Sequence, residues 1–133
     1  MYVLNIMSTL IGGFFNRNDK TTSLLEDYKD QFPEKDRICR LINESCDVLN
    51  RLSLATPSFW TTKANFFSLV IAVGNAIDTG RSIDIARLGA ELSTFADNPE
   101  LPYVLAAREA VNNRKERLIR NETIEKMIHN AAA

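Results

Sequence analysis

Within "NNRKERLIR", residues 112–120, Arg114, Arg117 and Arg120 follow one another at i, i+3 and i+6. On a helix that spacing sets side chains in a row along one side. Three guanidiniums in a row could grip successive phosphates of a nucleic-acid backbone. Arg108 and Lys115, seven residues apart, fall on the same side as the apolar residues of the segment. An unpaired charge is costly to bury there, so that side is expected to be rim rather than core. Arg108, Arg114, Lys115, Arg117 and Arg120 are therefore the candidate nucleic-acid contacts. The competing reading is a salt-bridged surface, because Glu116 precedes Arg120 by four and Glu122 precedes Lys126 by four, the favourable order within a helix. No aromatic residue alternates with these cations, which counts against a stacking platform for single strands.

Other chemistries find little to work with. The one histidine, His129, lies near the C-terminal end, leaving no triad and no paired-His metal site. Gly12-Gly13 is not followed by the Lys-Ser/Thr of a phosphate-cradling loop. Glu26, Asp27, Asp30, Glu34, Asp36, Glu44 and Asp47 sit among lysines and arginines on polar faces, as solvated carboxylates do. Cys39 and Cys46 are seven apart in one expected helix, so about 10.5 Å separates them along its axis, too far for a disulfide. They read as small buried thiols, and the lack of a disulfide framework favours a reducing cytoplasm. The residue types thus predict no enzyme, no metal and no cofactor.

The totals agree with a binding or structural role. The chain has 133 residues, 45% hydrophobic and 25% charged, as in an ordinary globular protein, and is expected to form one domain over 1–133. Sixteen basic residues against seventeen acidic ones give a net charge of −1, which argues against holding nucleic acid by bulk charge but leaves room for a local basic patch. Five Gly and four Pro are sparse punctuation, suited to long helices. No positive charge precedes Arg17, so "MYVLNIMSTLIGGFF" reads as a first helix rather than a targeting peptide.

About six helices are expected, an all-α single-domain bundle. The first runs over 2–11, and 12–22 is loop. Ser23-Leu-Leu-Glu26 has capping-box spacing and opens a short helix to about Phe32. Residues 34–52 are amphipathic: Ile38, Leu41, Ile42, Ser45, Cys46, Val48, Leu49 and Leu52 share one half of the helical wheel. "FWTTKANFFSLVIAVGNAID" holds the central helix, about 62–78, apolar nearly all round and too short to span a bilayer. Its polar residues, among them Asn65, Ser68 and Asn75, make one narrow stripe. That stripe reads either as the line where the central helix surfaces or as a contact with a partner. Ser82 is expected to cap the next helix, which Asn98-Pro99 stops. A sixth helix spans 102–118, and a phase shift in its apolar residues places a break near Arg120-Asn121. Residues 130–133 are expected to fray.

"LEDYKDQFPEKDRICRLINESCDVLNRLSL" followed by "SFWTTKANFFSLVIAVGN" resembles the helical region that follows the ParB-like nuclease domain in GmrS/GmrD-type modification-dependent restriction proteins. Tyr28, Phe32, Pro33, Trp60, Lys63, Phe66, Phe67, Ser68 and Leu69 carry the resemblance, which covers about residues 5–125. It implies a cytoplasmic bacterial setting and a role in defence against foreign DNA. In that family, catalysis and nucleotide sensing belong to an Asp-Gly-Gln-Gln-Arg motif and a His/Asn nuclease motif in other domains. With Gln31 and His129 the only residues of their kinds, neither motif is present, and no functional residue carries over.

Three functions follow as expectations. The first is a non-catalytic scaffold or regulatory module of a restriction-type system, acting through contacts with another protein. The second is direct DNA or RNA binding through the Arg114, Arg117 and Arg120 row. The third is a small immunity or anti-defence protein that blocks a partner. None involves a membrane.

Overall fold

The computed structural model describes residues 1–133 as an all-α bundle. Its helices are α1 (Tyr2–Gly12), α2 (Asp19–Asp27), α3 (Lys35–Leu52), α4 (Lys63–Asp78), α5 (Ile85–Asp97), α6 (Leu101–Arg108) and α7 (Arg114–Asn130), with a 3-10 turn at Phe59–Thr61. No helix is long and apolar enough to cross a membrane.

α4 is the hub. It packs against α1, α3 and α7, and Phe67, Leu69, Val70, Ile71, Val73 and Ala76 are buried in a single hydrophobic cluster. A helix apolar on every side is stable only when neighbours cover it all round. Gly74 lets α1 and α3 come close: a Cβ there would lie 2.9 Å from Leu10 Cδ2 and 3.4 Å from Ser45 Oγ. α3 adds Ile38, Leu41 and Leu49 to the same cluster. Arg37 on α3 holds Asp78 at the end of α4 through two bonds, Nε to Oδ1 at 3.3 Å and Nη2 to Oδ2 at 2.8 Å. Beside α4, Phe59, Trp60, Phe95 and Tyr103 form an aromatic knot, and the Trp60 indole N–H donates to Leu92 O at 2.8 Å.

The structure corrects several expectations. The second helix, α2, begins at Asp19, inside the expected 12–22 loop, and not at Ser23. Asn5 on α1 anchors that start: its amide donates to Asn18 Oδ1 at 2.8 Å, and its carbonyl accepts from Thr21 Oγ1 at 2.6 Å. Ser23 therefore lies within the helix rather than capping it. The cap of α5 is Asp84, whose carboxylate accepts from the Arg87 N–H at 3.1 Å, and not Ser82. The last break falls at residues 109–113, where Ala110 takes a left-handed φ of 49°, and α7 runs unbroken through Arg120-Asn121. The apolar phase shifts because arginines, not apolar residues, fill the inward positions of the first turns of α7. Cys39 and Cys46 are exposed, since the buried line of α3 runs through Ile38, Leu41, Ser45 and Leu49 and passes them by. Nor are residues 130–133 frayed. Ala131 is fully buried, its carbonyl accepts from the Asp84 N–H at 2.8 Å, and Ile83 and Ala132 form an antiparallel bridge.

Candidate anion-binding cleft

The inward side of α7 carries two charges. Arg117 is 2% exposed and Arg120 is 1% exposed. The expected row is thus split: Arg114 and Lys115 point to solvent, while the other two enter the bundle. None of the ion pairs in the molecule involves Arg117 or Arg120. The expected Glu116–Arg120 and Glu122–Lys126 pairs are absent, and Glu116 keeps a buried carboxylate oxygen without a hydrogen-bond partner.

Neutral acceptors hold the two arginines instead. Arg120 Nε donates to Ser68 Oγ at 2.8 Å, and its Nη1 donates to Ala106 O at 2.6 Å. Arg117 Nη1 donates to Phe15 O at 2.6 Å and Arg17 O at 3.1 Å. Its guanidinium lies over the Phe15 and Phe67 rings, 5.1 and 4.9 Å from their centroids. Each cation–π contact of this kind contributes about 0.5–2 kcal/mol. Arg117 Nε has no partner at all. Burial pushes the pKa of both guanidiniums down, and their mutual repulsion adds to this at Arg117. Arginine nonetheless keeps its proton at neutral pH. The charges of Asp19 and Glu116 oppose the shift, at Arg117 and Arg120 respectively, without bonding to either guanidinium.

The polar stripe on α4 meets this side of α7. Ser68 serves Arg120, and Asn65 accepts from the Tyr103 hydroxyl at 2.9 Å while donating to Phe59 O at 2.9 Å. Asn65 and Ser68, expected as contacts with a partner or a surfacing line, are 4% and 0% exposed and spend their hydrogen bonds inside the chain. Asn75 is half-buried at the other end of α4, away from this region.

Arg117 and Arg120 open onto a cleft of about 540 Å³ between the N-terminal ends of α1 and α4, the end of α6 and the turn before α7. Lys63 and Arg108, both exposed, also line it, as do Tyr2, Asn5, Asn18 and Asn112. Four cations and no carboxylate line the cleft. Tyr2 is neutral at physiological pH: burial pushes its phenol up to about 12. Thr62, the N-cap of α4, makes no side-chain capping bond, and Thr62, Lys63 and Ala64 bring the dipole-positive end of a sixteen-residue helix to the cleft. A low-dielectric cleft lined by one sign of charge focuses its field on an entering anion.

Of the residues singled out by sequence, Arg108, Arg117 and Arg120 come together, and Arg114 and Lys115 stay outside. Lys63, Tyr2, Asn5 and Asn18 were missed. No spacing within one helix could have found them, because they join the cleft from α1, the loop after it and α4. No protein-family model, curated protein or solved structure matches the chain.

Proposed function

We propose that this chain is a non-catalytic helical module that captures an anionic group of a partner molecule in the cleft between α4 and α7. The carrying observation is the burial of Arg117 and Arg120 without a carboxylate partner, under a mouth that adds Lys63 and Arg108. A buried ion costs several kcal/mol when its charge is uncompensated. An entering anion recovers part of that cost, so affinity is built into the fold. The resemblance to the helical region of GmrS/GmrD-type restriction proteins supports a setting in phage defence, as a scaffold or regulatory part in the cytoplasm. Its matching residues Trp60, Phe67 and Leu69 are core residues here, in keeping with a supporting role.

Direct nucleic-acid binding is the second reading, favoured by Arg108, Arg117 and Arg120 sharing one cleft. A recessed pair suits an end or an extruded group better than the evenly spaced phosphates of a duplex.

The test is a titration of the 15N-labelled chain with inorganic phosphate at fixed ionic strength, following the arginine side-chain Nε–H signals. The Arg117 and Arg120 signals should move in a saturable way. Signals that stay put across the series remove the reading.

A further inference from the structure

We propose that the group recognised by the cleft is a phosphoanhydride chain, two or more linked phosphates, rather than a single phosphate or carboxylate. The inference rests on the anion-capturing reading above and concerns what kind of anion is taken. Its basis is the depth at which the charges lie. Arg117 and Arg120 are 2% and 1% exposed at the inner wall, whereas Lys63 and Arg108 are exposed at the mouth.

A single phosphate seated on Arg117 and Arg120 satisfies the inner pair and leaves the outer pair to water. A chain of linked phosphates extends outward and meets both pairs. Its several negative charges also match four cations that have no lining carboxylate to compete with. The inner end can still serve an oxyanion, because neither hydrogen bond of Arg120 uses its Nη2. A carboxylate would compensate one charge and leave the mutual repulsion of the others in place. The cleft volume, about 540 Å³, exceeds what a phosphate chain fills and lies in the usual range for small organic ligands. A chain carried on a nucleoside and a free inorganic chain share the chemistry recognised here.

Calorimetric titrations of the full chain at constant ionic strength, without divalent cations, test the proposal with orthophosphate, pyrophosphate, tripolyphosphate, ATP and a single-stranded oligonucleotide bearing a 5′-monophosphate. Pyrophosphate and tripolyphosphate should each bind at least about tenfold tighter than orthophosphate. ATP above tripolyphosphate identifies the nucleoside-borne source, and ATP equal to or below it identifies the free chain; both support the proposal. Lys63→Gln/Arg108→Gln, altered only at exposed positions, should lower the pyrophosphate affinity more than that for orthophosphate. Equal binding of orthophosphate and pyrophosphate overturns the inference and leaves the anion-capturing reading standing. Tightest binding by the oligonucleotide overturns it in favour of nucleic acid. Absence of binding by every probe overturns both.

Discussion

Ser68 shows how one hydroxyl carries a buried charge. It is fully buried, and its oxygen accepts from Arg120 Nε at 2.8 Å. Ser68→Ala leaves that donor unsatisfied in the interior, which costs about 1–3 kcal/mol. In an Arg120→Met background the same change removes a hydroxyl that no longer has a charge to serve. The two substitutions should therefore be non-additive, with a coupling of about 1–2 kcal/mol in a urea-unfolding double-mutant cycle. Additive effects would mean that Ser68 does not hold Arg120. Both residues were visible in the sequence, one in a polar stripe and the other in a basic row. What stayed hidden was that each was the other's partner. Periodicity assigns faces to a helix, but it does not say which two helices will meet. Burial of Arg117 and Arg120 was hidden too, because backbone carbonyls, a hydroxyl and two aromatic rings take the place of carboxylates around them.

Each helix carries its local signals within its own segment, whereas its tertiary partners lie in other segments. Residues 34–52 and 62–78 were legible because an amphipathic wheel and an all-round apolar run are each written in one segment. The end of α4 was marked by Gly80, whose φ of 72° suits a residue without a Cβ. The break before α7 was not, because Ala110 has no preference for its left-handed φ of 49° and is held there by its surroundings. The sequence points to Ser82 as the cap of α5, and only the fold moves the cap two residues on, to Asp84. Asp84→Ala should lower unfolding stability by about 1 kcal/mol, the usual worth of an N-cap, while Ser82→Ala should cost less than about 0.5 kcal/mol. The reverse order would restore the sequence-based cap. α3 gives a second test, because its buried line leaves both thiols outside. A chromogenic disulfide reagent should label Cys39 and Cys46 in the folded protein at rates near those of a free thiol. Labelling only after denaturation would place them in the core after all.

For the molecule as a whole, net charge conceals the arrangement that matters. A net charge of −1 predicts almost no long-range field, yet the cleft concentrates four cations where α1, α4, α6 and α7 converge. The same convergence buries two phenols next to those cations. Burial pushes Tyr2 up to about 12 from 10.0, and it raises Tyr103 as well, with Arg120 opposing both shifts. In the unfolded chain these phenols ionise near pH 10. Between pH 10 and the folded values the native state therefore holds more protons than the unfolded one, and stability falls as pH rises. Below pH 10 the contribution is complete and flat. The urea midpoint should thus be level from pH 8 to 9.5 and decline steadily from pH 10 to 12. Tyr2→Phe removes one of the two phenols and should make that decline shallower. It also loses the 2.7 Å bond from the Tyr2 hydroxyl to Lys63 O, so its midpoint should start lower by the worth of one hydrogen bond, about 1 kcal/mol. A variant that declines as steeply as the parent would show that the α1–α4 junction does not shelter Tyr2, and the wall of the cleft would have to be redrawn.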